Sequence, residues 1–418
     1  MTERTALWEP PARPDWVQRI NDEGAHMDIG AVVPLDPESL IASARRSTGL
    51  TDFGDDDWRE PFAVLCRALE TEADLNLMGR IRTRSELLQL LEGRLQIEDW
   101  YTRHPEIDDQ VVSAPIFVIG QGRSGTTMLV NILDTHPDNC APKHWEIIFP
   151  CPPPESATYD NDPRIDRGHQ LIDQWNRVTP TLESMHEFAG RVPMECCQVL
   201  GFAFRSSTWF DSLGQVPSYQ QWLTGQDVRI ALNYHKRVLK LLQWRNPRQH
   251  WILKDPMHLD RMPAMLEIYP DARFVWPHRD PTRALASAVS LLGTVQWGRT
   301  DHPFQFGAFD YVTNPDLSAN RFNAVIDQIE AGAIPKDRLH HMLYADLVDD
   351  PIAAIAAMYG AFGLELTDAG RSAMQSYVDA NPRTARPAHK LNLGSDELNS
   401  RDRIAFAPYQ EYFGIPFE

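Results

Sequence analysis

An apolar run from Ile116 to Ile119 breaks at Gly120 and Gly122, and a helical apolar pattern resumes from Thr126 through Leu133. Strand, glycine turn and helix together set free backbone N–H groups and the positive end of a helix dipole against a phosphate. Further units of the same kind follow. Trp251–Leu253 ends at Lys254 and precedes a helix from about His258 to Ile268. Arg273–Trp276 precedes a helix from Pro281 to Leu292, and Leu339–Tyr344 precedes one from Asp350-Pro351 to Phe362. Strands alternating with helices of this length predict an α/β fold, a parallel sheet flanked by helices. Right-handed crossovers then bring the strand C-termini, and the motifs there, to one edge.

Residues 1–110 read as helix without a convincing strand. Asp36-Pro37-Glu38 opens a helix over Leu35–Ser47, and apolar spacing predicts two more over Trp58–Met78 and Ser85–Trp100. The expected organisation is an N-terminal helical region, 1–110, packed on an α/β domain, 111–418. A helical stretch over about 164–245 interrupts the alternation as a cap. Phe149–Pro163 and Gly293–Asp316 read as long loops. Their aromatics (Phe149, Trp297, Phe304, Phe306, Phe309) are candidate walls for an apolar acceptor.

A formal charge of −18 argues against general binding to nucleic acid or to an anionic membrane. An anionic ligand therefore needs a local basic pocket, for which Arg123, Lys254, Arg273, Arg279 and Arg283 are candidates. The five cysteines lack metal-ligand spacing, and no apolar run reaches the length of a membrane span. The start of the chain, charged and proline-broken, does not read as a signal peptide. A reducing, cytoplasmic setting is the expectation.

The first turn nearly matches the phosphate-loop pattern Gly-x-x-x-x-Gly-Lys-Ser/Thr, but Thr126 stands in the lysine slot. Arg123, Ser124, Gly125, Thr126 and Thr127 offer N–H groups, hydroxyls and one charge to a phosphate. A second constellation has Arg279 at a strand end, then the capping pair Asp280-Pro281, then Ser287 about two turns into the helix, at about 1.5 Å per residue. Arginine and serine there clasp a second phosphate.

Together these segments resemble the cofactor-binding elements of the sulfotransferases, which use 3′-phosphoadenosine 5′-phosphosulfate (PAPS) and release PAP. Arg123 to Thr127 look like the 5′-phosphosulfate loop, and Arg279 with Ser287 like the pair for the 3′-phosphate. Tyr344-Ala345-Asp346 resembles the segment whose tyrosine meets adenine. Trp145-Glu146, the prolines Pro150, Pro152, Pro153 and Pro154, and Asp162-Pro163-Arg164-Ile165 are similar to the bacterial branch. The likeness spans about residues 35–415. It implies direct sulfuryl transfer from PAPS, without a metal, to a hydroxyl or amine of a small-molecule, lipid or glycolipid acceptor. Lys254 looks like the lysine that stabilises charge on the leaving oxygen. Glu146 and His258 compete for the base, Glu146 slightly favoured, with His144, His186 and Glu195 as lesser candidates.

Some positions depart from the family pattern. Met128 replaces an aromatic, Asp255 puts a carboxylate beside Lys254, and the late Arg-Lys-Gly segment is missing. Arg383, Arg386, His389 and Lys390 are its candidate replacements. A phosphate-loop kinase or NTPase is the enzymatic rival, disfavoured by Thr126 and by the lack of a clean strand ending in a magnesium-binding aspartate. A non-catalytic nucleotide-binding module is the other. Oligomeric state is left open.

Overall fold

The computed structural model describes residues 2–305, 307–382 and 391–418. Phe306, Arg383, Arg386, His389 and Lys390 lie outside the described residues. Five strands form one sheet: β1 (Ile116–Val118), β2 (Asn139–Cys140), β3 (His250–Lys254), β4 (Arg273–His278) and β5 (Leu339–Leu343). Their order is β2-β3-β1-β4-β5, and every neighbouring pair is parallel. In register, Val118 lies opposite both Lys254 and Val275, so β1 and β3 end at one level and β4 runs on beyond them to His278.

The sheet is buried on both faces, which is why its central strands are continuous apolar runs. Side chains alternate between the faces. Ile116, Val118, Ile252 and Val275 pack with Leu129, Leu133, Ile355 and Met358 of the helices Thr126–Leu133 and Pro351–Ala361. Phe117, Leu253, Phe274 and Trp276 face a larger core that takes in residues from Leu35 to Ile415. β2 escaped sequence analysis because two residues, one of them polar, carry no periodicity. Only pairing with His250 and Trp251 defines it.

The expected strands and the helices after them are present, with shifted ends. The helix after β3 begins as a tight 3₁₀ turn, Pro256–Arg261, before Met262–Ile268. The helix after β4 runs on to Trp297, into the expected loop. Near the N-terminus, Asp36 accepts from Ser39 N at 2.8 Å and opens the helix Pro37–Thr48, a cap typically worth about 1 kcal/mol. The expected helix Trp58–Met78 instead stops at Thr71. Asp74 adopts φ 46° and the Asn76 side chain caps a new helix, Leu77–Arg103, that absorbs the expected Ser85–Trp100.

Helix Leu77–Arg103 is buried on several sides, so polar groups sit inside it with partners. Arg94 donates to the carbonyls of Phe53 (2.7 Å) and Phe202 (3.0 Å), and Glu98 accepts from Tyr234 and Arg237, each at 2.9 Å. Glu86 takes Arg299 at 2.8 Å. The cap region comprises Arg164–Val178, Cys196–Gly201, Ser207–Leu213, Pro217–Thr224 and Val228–Trp244. Cys196 and Cys197 are buried, free thiols. Among the described residues, no helix is long and apolar enough to cross a membrane.

Candidate functional site

Beyond β1 the chain turns sharply. Gly120 (φ 110°), Arg123 (φ 74°) and Gly125 (φ 91°) all occupy the left-handed region. A Cβ on Gly125 would meet the Tyr344 ring at 2.8 Å, so glycine is required for both conformation and space. Gly125 then caps the helix Thr126–Leu133, whose first N–H groups have no intrahelical acceptor and face the strand ends. The Ser124 hydroxyl donates back to the Gln121 carbonyl at 2.7 Å, tightening the loop.

Lys254, at the end of β3, reaches this loop. Its Nζ donates to Thr127 Oγ1 at 2.9 Å and pairs with Glu195 Oε1 at 2.7 Å. Glu195 also faces His186 Nε2 at 3.5 Å. Burial raises the Glu195 carboxyl, but the Lys254 ammonium and His186 outweigh it and hold the group down at about 2.

Arg123 and Arg279 form the other half of the cleft. Arg123 Nε donates to Ser287 Oγ at 2.8 Å and its Nη1 to the Met185 carbonyl at 2.7 Å. Arg279 donates to the Arg123 carbonyl at 3.0 Å and lies 4.2 Å from the centre of the Tyr344 ring. Its fork holds the Glu418 carboxylate at 2.8 and 2.9 Å, and Arg283 reaches the same group at 3.5 Å. The carboxylate is seated on a bidentate fork, the geometry in which arginine binds oxyanions. Against its burial, this contact raises the Arg279 guanidinium. Burial, then the proximity of Arg279, lowers that of Arg123. Asp280 accepts from Thr282 N at 2.8 Å and from Glu418 N at 3.0 Å, tying the helix start to the C-terminal segment.

Thus Arg123–Thr127, Lys254, Arg279, Ser287 and Tyr344 converge, as do Glu195 and His186. Arg273 does not join them: it opens β4, at the opposite edge of the sheet, beside Phe362. Glu146 and His258 are held elsewhere. Glu146 is fully buried, accepting from Lys143 N at 2.8 Å and pairing with Arg248 at 2.9 Å. Burial raises its carboxyl despite Arg248. His258 is fully buried 5.5 Å from the Phe117 ring, and neither of its ring nitrogens has a partner among the described residues. Burial, then His235, pushes it well below the usual histidine range. Asp255 does not neutralise the lysine: its carboxylate accepts from Met257 N at 2.9 Å and from Thr208 at 3.4 Å.

His144 fits the cleft better than its sequence neighbourhood indicated. The segment 190–195 folds back on 142–145: Met194 N donates to the Pro142 carbonyl at 2.7 Å, and His144 N to that of Val192 at 3.1 Å. This brings His144 into the electrostatic neighbourhood of His186, Glu195 and Lys254. His144 Nδ1 lies 2.9 Å from the Val192 carbonyl and therefore carries the proton. That leaves Nε2 as a bare acceptor, buried and without a partner among the described residues. Burial lowers the imidazole to about 4.

A cavity of about 290 Å³ abuts this half of the cleft, bounded by Leu7, Trp8, Met185, Ala286, Val289 and Thr294. Its wall is partly the N-terminal segment, which sequence analysis did not connect with the site. Trp8 packs edge-on to Trp297 and Phe304 at 6.2 and 5.9 Å, and Phe304 to Phe309 at 6.1 Å. These loop aromatics therefore pack on one another.

A glycine βα turn, two arginines with Ser287 beside it, and a lysine from the neighbouring strand stand together at the strand ends of a parallel α/β sheet. Residues 115–368 match the Sulfotransferase family, and the chain belongs to it. Two solved structures are similar across nearly the whole chain. Sulfotransferase STF1 of Mycobacterium tuberculosis is 28% identical, covers 89% of this chain and 98% of its own, and superposes with a TM-score of 0.73. Sulfotransferase STF9 of Mycobacterium avium is 26% identical, with 91% and 97% covered and a TM-score of 0.76. Among curated proteins, omega-hydroxy-beta-dihydromenaquinone-9 sulfotransferase Stf3 of Mycobacterium bovis is 23% identical over 272 residues. That match covers 61% of this chain and spans 64% of the relative's length.

Proposed function

We propose that this chain transfers a sulfuryl group from PAPS to a hydroxyl or amine of a small-molecule, lipid or glycolipid acceptor. The observation that carries the reading is Lys254, which hydrogen-bonds Thr127 of the glycine loop and so joins a cation from β3 to the phosphate cradle. The residues fit the cofactor. The cradle requires glycine at Gly125, and the Arg279 fork already accepts an oxyanion from Glu418. Arg123 to Thr127 hold the 5′-phosphosulfate, Arg279 and Ser287 the 3′-phosphate, and Tyr344 the adenine side. When bound, PAPS supplies an activated sulfuryl group on a phosphate leaving group.

The rest of the chemistry belongs to the chain. Lys254 exchanges Glu195 for the incoming anion and holds positive charge beside the leaving oxygen. His144 is the base we favour over Glu146 and His258. Its Nε2 lone pair is free, its tautomer is set by Val192, and it accepts the acceptor's proton. Until the anion arrives, Glu195 keeps Lys254 in place, and it stays beside His186. The cavity beside Ser287, bounded by Leu7, Trp8 and Val289, supports an apolar acceptor. The name of Stf3, a sulfotransferase of an omega-hydroxylated dihydromenaquinone, supports the same class. Five free cysteines fit a reducing cytoplasm.

The test is transfer of labelled sulfuryl from PAPS to a panel of hydroxylated quinols, sterols and phenols, with Lys254→Ala beside the wild type. Transfer that disappears in the variant supports the reading. Magnesium-dependent ATP turnover without sulfuryl transfer overturns it in favour of the NTPase rival. PAP binding without transfer to any acceptor leaves the non-catalytic module.

A further inference from the structure

Away from the cleft, the helices Pro217–Thr224, Val228–Trp244 and Pro315–Glu330 and the turn Pro256–Arg261 enclose a second cavity of about 520 Å³. None of its lining residues belongs to the cleft. Three guanidiniums line it, those of Arg205, Arg261 and Arg321. An arginine taken into a protein wall ordinarily meets a carboxylate, and this chain, at −18, has carboxylates in excess. Among the described residues, only Arg321 of the three forms a salt bridge, to Asp260 at 2.6 Å. Arg205, 6% exposed, donates to Gln226 Oε1 at 3.2 Å and to the Asp57 carbonyl at 3.1 Å. Half-buried Arg261 has no hydrogen bond or salt bridge among the described residues. The other carboxylate of the wall, Asp227, is already bound to Arg229 at 2.9 Å.

The same wall carries orphaned polar atoms. Arg205 Nε, Arg321 Nε and the Ser207 hydroxyl are all buried without a partner among the described residues. Buried donors are ordinarily satisfied; these three present no surface to the cavity itself, and the donors left to a ligand are the other guanidinium N–H groups of its lining. The remaining wall is apolar, built from Leu223, Val228, Met257 and Leu317. Three guanidiniums line the cavity against two carboxylates, Asp227 within electrostatic reach of Arg205 and Asp260 of Arg261, so the wall keeps an excess positive charge beside its hydrocarbon side. We propose that this cavity binds an oxyanion (carboxylate, phosphate or sulfate), with Arg205 and Arg261 as its donors and the apolar wall receiving any hydrocarbon attached to it. Arg321 also donates to the Pro256 carbonyl at 3.1 Å, so the site adjoins the turn that follows Lys254 and Asp255.

Isothermal titration at fixed ionic strength tests this on the intact protein, with three probes: decyl sulfate below its micelle concentration, decanol and inorganic sulfate. Decyl sulfate binds the wild type more tightly than decanol does, and Arg261→Gln weakens it by about tenfold or more. Arg261→Lys, which keeps the charge but loses the fork, falls between. Arg261→Gln removes no hydrogen bond or salt bridge among the described residues, and its melting temperature, measured beside the wild type, separates a loss of fold from a loss of binding. Arg279→Ala binds decyl sulfate like the wild type, which separates this cavity from the cleft whether or not the cleft takes PAPS. Arg261-dependent binding of inorganic sulfate identifies a free oxyanion as the source. Its absence beside decyl sulfate binding identifies an amphiphile's headgroup. Equal decyl sulfate affinity in the wild type and Arg261→Gln, or equal affinity for decyl sulfate and decanol in the wild type, overturns the proposal.

Discussion

Two buried side chains of opposite character, His144 and Glu146, lie two residues apart on one short helix, and the proposed function gives the first the chemistry and the second a structural part. If His144 is the base, His144→Gln lowers the single-turnover transfer rate about 10²–10⁴-fold while leaving PAP affinity and melting temperature near wild type. Glu146→Gln has the opposite signature. It leaves Arg248 uncompensated in the interior and costs roughly 3–5 kcal/mol of stability by denaturant titration. A rate lost in Glu146→Gln without loss of stability would reverse the assignment. Glu195 carries a pH signature of its own. Its folded-state value, about 2, lies below the ordinary glutamate value of 4.5, so its contribution is complete above that ordinary value and disappears as pH falls toward 2. Glu195→Gln should flatten the fall in stability across that acid window, measured by urea titration at successive pH values. An unchanged acid limb would mean that the pair with Lys254 does not form in solution.

Elements decide which of these groups meet. The C-terminal segment brings Glu418 into the Arg279 fork that the proposal assigns to the 3′-phosphate. Glu418→Gln, which removes the competing charge, is therefore expected to tighten PAP binding by about tenfold, read by equilibrium dialysis. Arg279→Ala with Ser287→Ala should abolish PAP retention, and retention at one PAP per chain would remove the cofactor assignment. The strand–turn–helix units were legible because each carries its own local signal: the run Ile116–Ile119, the capping pair Asp280-Pro281, Asp350-Pro351. The fold-back of 190–195 onto 142–145 has no such signal. Its pairing is through a few backbone hydrogen bonds, which depend on tertiary approach and not on side-chain periodicity. This is why His144 ranked below Glu146 and His258 in the sequence.

Over the whole molecule, one large apolar core runs from the N-terminal helices through one face of the sheet to the C-terminal helix. The buried pair Arg299–Glu86, at 2.8 Å, links the region after β4 to helix Leu77–Arg103. The chain is accordingly expected to unfold in one cooperative step, with far-ultraviolet circular dichroism and tryptophan fluorescence transitions coinciding. Arg299→Met should lower stability by roughly 3–5 kcal/mol because Glu86 is left uncompensated; separate transitions would show that residues 1–110 unfold alone. The sequence by itself determined the parallel α/β class, the glycine turn from Gly120 to Thr127, and the placing of Arg279 at a strand end with Ser287 on the helix after it. These are written in local patterns: apolar runs, glycines that tolerate left-handed turns, helix caps and fixed spacings. Only the tertiary structure decided which side chains stand beside Lys254, that Glu146 faces Arg248, and that Trp8 and Glu418 border the cleft. Those choices depend on approach between segments distant in the chain, where burial and pairing select partners that no local pattern specifies.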